Sequence, residues 1–173
     1  MKVTYYKSKK GNFGDDLNDW LWKKIFKTIP LNEGDNFIGI GSLLHNDSHV
    51  IKNLSKERKI VFGSGVKPSR YYSNFKVDDM WDIKFLRGPL SAITLDNRFE
   101  YITDAAYAMR QIDEFDNLIS TPKKYEISLM PYFHSVNYFD WKRICDNLGY
   151  HYISPLSENG VEYTIKEIAS SKK

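Results

Sequence analysis

Two neighbouring segments near the start of the chain decide the fold: KVTYY at positions 2–6 and GNFGDDLN at positions 11–18. The first is a β-strand pattern, and the glycines of the second let the backbone turn tightly and approach a ligand. Apolar residues then recur at helical spacing, which predicts a helix over 16–27. A strand, a glycine turn and a helix in this order are typical of the first strand of an α/β sheet, where the chain reaches the ligand crevice.

Two aspartates make this turn unusual, because Asp15 and Asp16 stand at the start of the predicted helix. The start of a helix is normally a good site for an anion such as phosphate. Two carboxylates already occupy this one and would repel phosphate. The turn is therefore better suited to hydroxyl groups, such as those of a sugar, or to a nucleobase.

Apolar strand patterns alternate with helical ones along the rest of the chain. This alternation predicts an α/β fold, a Rossmann-like parallel sheet with flanking helices. The predicted strands cover 2–6, 37–40, 59–63, 83–86, 100–103, 125–131 and 150–153, and the predicted helices cover 16–27, 47–55, 88–95, 139–148 and 160–169. The stretch 66–82 lacks a regular pattern and is expected to be a surface excursion that carries aromatic side chains.

A polar run around 113–124 predicts a linker and hence two domains. We place a Rossmann-like domain at 1–115, the linker at 116–124, and a strand-helix-strand-helix unit at 125–173. Two strands and two helices bury too little surface to stand alone. The last segment is therefore expected either to pack on the first sheet or to open a longer second domain.

Composition excludes several classes of function. The 173 residues are 42% hydrophobic and 15% aromatic, which is ample for a packed core. The net charge of +3 is scattered, so no nucleic-acid partner is expected, although contact with an acidic membrane surface is compatible with it. A single cysteine, Cys145, favours a reducing, cytoplasmic setting, and its apolar neighbours predict a buried, inert thiol. The four histidines lack metal-type spacing, so no metal is expected.

Small and polar residues follow several predicted strands, at the edge where open α/β sheets bind ligands. Arg87 could grip a carboxylate or phosphate through two parallel hydrogen bonds, or could pair with Asp104 instead. Asp104 could act as a base, bind a hydroxyl group, or cap the next helix. His134 follows another strand and could donate a proton or bind an anion, although a lone histidine is more often structural. The candidate binding residues are Asn12, Gly14, Gly41, Ser42, Gly63, Ser64, Gly65, Arg87 and Asp104.

Five short motifs in this order resemble the polysaccharide pyruvyl transferase family. They are GNFGDDLN at 11–18, GIGS at 39–42, FGSG at 62–65, RGPLSA at 87–92 and ITDAA at 102–106. The segment LMPYFH at 129–134 is similar to the strand that opens the family's second domain. The resemblance covers nearly the whole chain.

The resemblance implies the first half of a two-domain, GT-B-like transferase that moves a pyruvyl group from phosphoenolpyruvate to a sugar. The acceptor would be a cell-surface polysaccharide or its lipid-linked oligosaccharide precursor, the product a pyruvate ketal, and no cofactor would be needed. Asp15 or Asp16 would contact the sugar hydroxyls, one of them as a base. Arg87 would bind an anionic group, and His134 would sit at the interdomain cleft. The catalytic candidates are therefore Asp15, Asp16 and His134.

Family members are longer, and the resemblance places key donor-binding residues beyond the part matched here. We therefore expect a shortened or incomplete member that is inactive alone. Two alternatives stay open: a GT-B-type glycosyltransferase that uses a nucleotide-sugar, and an inactive, truncated glycan-binding module.

Overall fold

The computed structural model describes residues 1–28, 34–54, 56–67 and 75–173, which form two compact units. The first unit contains Met1–Tyr6 and Leu17–Met109. The second contains Lys7–Asp16 and Arg110–Lys173. Helix α1 (Phe13–Ile25) begins in the second unit and continues in the first.

The first unit is built on a four-stranded parallel sheet. Its strands are β1 (Lys2–Val3), β2 (Asn36–Ile38), β3 (Lys59–Phe62) and β4 (Trp81–Phe85), in the order β1-β2-β3-β4. Helices α2 (His49–Lys52) and α3 (Pro89–Thr94) and the 3-10 helix Phe26–Thr28 also belong to this unit. A further 3-10 helix, Ala105–Gln111, begins in it and ends in the second unit. The predicted α/β, Rossmann-like fold with a parallel sheet is therefore confirmed.

Apolar side chains cover both faces of this sheet, because neighbouring strand residues point to opposite sides. On one face, Phe37 and Phe62 pack against the Trp22 ring of α1, at centroid distances of 4.6 and 5.8 Å. The opposite face carries a buried aliphatic cluster of Ile38, Leu43, Leu44, Ile51, Val61, Val66, Leu86, Ala92 and Leu95, which includes residues of α2 and α3. This core fixes the strand ends that carry the candidate site.

Some predicted elements differ from the observed ones. The predicted strand 100–103 is an isolated parallel bridge between Leu86 and Tyr101, and Tyr101 and Ile102 are too exposed to hold a longer strand by burial. The helix predicted over 47–55 covers only His49–Lys52, and position 55 lies outside the described residues. Positions 68–74 of the predicted surface excursion also lie outside them, whereas its end forms part of β4.

The second unit has a two-stranded parallel sheet flanked by helices. Its elements are α4 (Phe115–Ile119), β5 (Ser128–Leu129), a 3-10 helix (Phe133–Asn137), α5 (Trp141–Leu148), β6 (His151–Tyr152) and α6 (Val161–Ala169). Asp140 caps α5 through the Arg143 amide, and Gly149 ends it in the left-handed conformation. Cys145 is fully buried, as predicted, and burial raises the pKa of its thiol.

The division into domains at 1–115, 116–124 and 125–173 stays a prediction, although α4 occupies the start of the predicted linker. Within the described residues, no helix is long and apolar enough to cross a membrane.

Candidate functional site

The ends of β2, β3 and β4 meet at one edge of the first unit's sheet. The Gly65 amide and the Ser64 hydroxyl both donate to the Gly41 carbonyl, at 2.8 and 3.0 Å. The Arg87 amide donates to the Ser64 carbonyl at 3.2 Å. The structure thus brings together the predicted residues at these ends. We call Gly41, Ser42, Gly63, Ser64, Gly65, Arg87 and Asp104 the strand-end cluster.

Two glycines in this cluster are required by its geometry. Gly63 has a φ of 73°, which is strained for any residue with a side chain, and an added Cβ would lie 2.8 Å from the Ala105 nitrogen. A Cβ on Gly65 would lie 2.7 Å from Nη2 of Arg87. The guanidinium therefore lies directly against the Gly65 backbone, and a larger residue there would displace it.

The guanidinium of Arg87 has two polar contacts in the cluster. Its Nη2 donates to the Ser42 hydroxyl at 2.8 Å, and its Nη1 lies 3.8 Å from Oδ2 of Asp104. The Arg87 and Asp104 side chains are 37% and 42% exposed, so the pair contributes little to stability. The predicted pairing with Asp104 is present, and the exposed guanidinium can also reach an anion from solvent.

Asp104 also acts as a cap. Its Oδ1 accepts the Ala106 amide at 2.9 Å, and its carbonyl accepts the Tyr107 amide at 3.0 Å. The capping interpretation of Asp104 is therefore confirmed. Because Oδ2 faces Arg87, the same carboxylate also restricts where the guanidinium can point.

Sequence reasoning missed Asn18, whose side chain orders the backbone before Gly41. Asn18 is fully buried, and its Oδ1 accepts both the Ile40 amide at 2.9 Å and the Trp22 indole N–H at 3.1 Å. Its Nδ2 donates to the Ile40 carbonyl at 3.0 Å. An asparagine on the apolar face of a helix was the available signal, because a buried amide needs partners.

The second group of candidates is the opening turn, Gly11–Asp16, in the second unit. Both aspartates lie in the first turn of α1, as predicted. The Oδ2 of Asp16 accepts the Asn12 amide at 3.0 Å and the Ser157 hydroxyl at 2.7 Å. Asp16 therefore ties the helix start to a segment far along the chain and braces the turn.

The conformation of the opening turn depends on its first glycine. Gly11 has a φ of 79°, and a Cβ there would lie 2.2 Å from the Leu156 carbonyl oxygen. The Phe13 amide donates to the Pro155 carbonyl at 2.9 Å, which fastens the turn to the same neighbouring segment. Gly14, by contrast, has room for a side chain, since a Cβ would only touch Oδ1 of Asn12 at 3.8 Å.

The environment of Asp15 disfavours the charged form of its carboxyl group. Its Oδ2 accepts the Asn12 side-chain amide at 2.5 Å. Burial raises the pKa of Asp15 to about 6, and the Asp16 charge adds to the rise while the Asn12 hydrogen bond opposes it. Two neighbouring carboxylates with different environments are a common arrangement for acid and base chemistry. Asp15 can therefore exchange a proton near neutral pH.

His134 lies in the 3-10 helix Phe133–Asn137 and is exposed. Its ring packs on Phe133 at a centroid distance of 3.9 Å and near Tyr132 at 5.2 Å. Lys10 donates to Oδ1 of Asn137 at 3.0 Å, which joins this helix to the residue before the opening turn. A catalytic role for His134 stays a prediction.

No group of three or more His, Cys, Asp or Glu side chains among the described residues could hold a metal ion.

Comparison with known proteins shows similarity to a polysaccharide biosynthesis protein. The chain is 33% identical to the succinoglycan biosynthesis protein ExoV of Rhizobium meliloti (strain 1021) over 179 aligned positions, which cover 99% of this chain and 52% of the relative. The chain thus spans about half the length of the curated relative it matches. No family model matches the chain. The comparison with solved structures also found no match.

Proposed function

We propose that this chain handles the acceptor sugar in the transfer of a pyruvyl group from phosphoenolpyruvate to a polysaccharide or its precursor. The similarity to a succinoglycan biosynthesis protein over 99% of the chain supports a transferase role in polysaccharide biosynthesis. The ordered motifs that resemble polysaccharide pyruvyl transferases support the finer assignment. The reaction would take place in the cytoplasm with phosphoenolpyruvate as the donor, and it would need no cofactor.

The chemistry has defined requirements. A proton is added to the methylene carbon of phosphoenolpyruvate, which makes the neighbouring carbon electrophilic. Two sugar hydroxyls then form C–O bonds to that carbon, and the C–O bond to phosphate breaks. The two hydroxyls lose two protons in total. One balances the proton added to the methylene carbon, and the other leaves with the phosphate. The site needs a base near the hydroxyls and a cationic partner for the anionic donor.

The similarity to the succinoglycan biosynthesis protein carries the proposal, and the partly buried Asp15 offers a base for it. A carboxyl with a pKa of about 6 is mostly ionised at neutral pH, so it can accept a hydroxyl proton and release it again. The two carboxylates at this helix start also repel phosphate, which agrees with an acceptor role. Asp16 would act indirectly, by holding the turn that positions Asp15.

Arg87 supplies the cationic group in this proposal. Its guanidinium is oriented by Ser42 and Asp104 and remains more than a third exposed, so it can bind the carboxylate or phosphate of the donor. Gly41, Gly63, Ser64 and Gly65 shape the backbone that holds it.

Acceptor-dependent phosphate release tests the proposal. The protein as its gene encodes it would be incubated with phosphoenolpyruvate and oligosaccharides from partial hydrolysis of succinoglycan. The proposal expects phosphate release coupled to a mass increase of the glycan equal to one pyruvate ketal. Release of a nucleoside diphosphate from a nucleotide-sugar would support the glycosyltransferase alternative. Glycan binding without turnover by the complete protein would support a binding module.

A further inference from the structure

We infer that residues 132–141 form an aromatic surface that binds an extended oligosaccharide next to the opening turn. The proposal rests on the proposed function and deepens it, because it locates the part of the second unit that would hold sugars beyond the reacting one. We call these residues the aromatic segment.

Three large aromatic side chains stand exposed within this short stretch. Tyr132, Tyr138 and Phe139 are 68%, 79% and 58% exposed. Exposed apolar side chains that gather on one part of a surface often mark an interaction site, and these three lie within eight consecutive positions. The flat faces of such rings carry negative charge density, which attracts the C–H groups on the face of a sugar ring.

The backbone beneath these rings is held in place by Ser135. Its hydroxyl donates to the Tyr132 carbonyl at 2.6 Å and accepts the Trp141 indole N–H at 2.9 Å. Its carbonyl accepts the Tyr138 amide at 3.0 Å and the Phe139 amide at 3.2 Å. Because the rings project from an ordered scaffold, little conformational entropy is lost when a ligand binds to them.

The surroundings favour a sugar over an apolar partner. The exposed His134, the amide of Asn137 and the carboxylate of Asp140 lie in the same stretch as the rings. A sugar presents both an apolar face and hydroxyl groups, so it matches aromatic rings interspersed with polar groups. An apolar protein partner or an acyl chain would leave these polar groups without water.

The aromatic segment is continuous with the candidate acceptor site. Lys10 donates to Asn137 at 3.0 Å, and Lys10 directly precedes the opening turn that carries Asp15. A polysaccharide whose reacting sugar lies at Asp15 would therefore have further sugar units within reach of the rings. The charged Lys10 would face the same glycan.

Oligosaccharide binding to single variants tests the inference. The probe is the succinoglycan oligosaccharide mixture, and titration calorimetry gives the dissociation constant. We expect Tyr138→Ala and Phe139→Ala each to weaken binding about fivefold, as loss of one stacked ring implies. Tyr138→Phe keeps the ring and should bind almost as the unchanged chain does. Tyr101→Ala removes a ring of similar exposure from the first unit and should change nothing.

Several results would overturn the inference. One is an unchanged dissociation constant for Tyr138→Ala and Phe139→Ala, with their circular dichroism also unchanged. Another is no oligosaccharide binding by the unaltered protein. If Tyr138→Ala and Phe139→Ala lose binding to anionic phospholipid vesicles but keep glycan binding, the aromatic segment contacts a membrane surface instead. If the variants weaken glycan binding but phosphoenolpyruvate is never turned over, the surface stands and the proposed reaction fails. If phosphoenolpyruvate is turned over but the variants bind the glycan as the unaltered protein does, the proposed reaction stands and the aromatic surface fails.

Discussion

Replacing Asp15 by asparagine should make the protein more stable at alkaline pH, while phosphate release by the complete gene product is lost. The pKa of Asp15 rises from its ordinary value of 3.8 to about 6 because the carboxyl is partly buried. Ionising it in the folded protein therefore costs at most about 3 kcal/mol. Since the side chain is only partly shielded from water, we expect about 1–2 kcal/mol to remain after screening.

The sign of the pH dependence follows from the raised pKa. Below about pH 4, Asp15 is protonated in both the folded and the unfolded state, so its ionisation costs nothing. Between about pH 4 and 6 the folded state keeps the proton that the unfolded state has lost, and stability falls as pH rises. Above pH 6 the full cost is present. Asp15→Asn removes this dependence, so its advantage over the unaltered protein should grow from pH 4 to pH 8.

Urea unfolding at pH 4 and pH 8 measures the effect. We expect the difference in unfolding free energy between Asp15→Asn and the unaltered protein to increase by about 1–2 kcal/mol over this range. Phosphate release by the complete gene product should fall by about 10²–10⁴ in the same variant, as loss of a catalytic acid or base implies. An equal stability difference at both pH values would show that burial does not raise the pKa of Asp15.

Asp16→Ala provides a matched control. Asp16 accepts hydrogen bonds from the Asn12 amide and the Ser157 hydroxyl, so its removal should destabilise the protein at both pH values, by about 1–3 kcal/mol. Opposite effects of the two substitutions on stability would distinguish Asp15, whose burial raises its pKa, from Asp16, which holds the turn in place. If Asp16→Ala instead stabilised the protein at pH 8, the assignment of the two carboxyls would be reversed.

Three further predictions concern the first unit. Asn18→Ala should lower the unfolding free energy by about 2–4 kcal/mol in urea denaturation, because it leaves both backbone polar groups of Ile40 and the indole of Trp22 without their partner. An effect below about 0.5 kcal/mol would contradict this account of Asn18. Gly65→Ala should raise the KM for phosphoenolpyruvate by displacing the guanidinium of Arg87, while the circular dichroism spectrum stays unchanged. Arg87→Lys should raise the same KM by about tenfold, since lysine cannot form two parallel hydrogen bonds to one oxyanion, and an unchanged KM would remove Arg87 from the donor site.

The sequence predicted those parts of the fold that depend on regular periodicity. The parallel sheet followed from alternating apolar segments, and the end of α5 followed from a single residue, Gly149. The 3-10 helices Ala105–Gln111 and Phe133–Asn137 were missed, because three residues per turn leave no amphipathic pattern of the α-helical kind. The predicted strand 100–103 was wrong in extent, since apolar residues in a row do not show whether a neighbour covers them.

The candidate site was predicted in part for a related reason. Motifs at the strand ends indicated which residues would meet, and the contacts of Arg87 with Ser42 and Asp104 confirm that they do. The sequence shows two adjacent aspartates, and it could not predict that Asp15 is partly buried while Asp16 holds the turn in place. This difference arises from burial and from Ser157, which lies 141 positions from its partner in the chain.

Acceptor-dependent turnover of phosphoenolpyruvate is the most direct test of the central claim that Asp15 serves a sugar acceptor in pyruvyl transfer. The measurement compares the complete gene product with its Asp15→Asn variant on succinoglycan oligosaccharides, following phosphate and the mass of the glycan together. We expect phosphate release and ketal formation in equal amounts, and we expect both to be lost in the variant while phosphoenolpyruvate still binds. Ketal formation at an unchanged rate in Asp15→Asn, or loss of phosphoenolpyruvate binding with glycan binding intact, would contradict it.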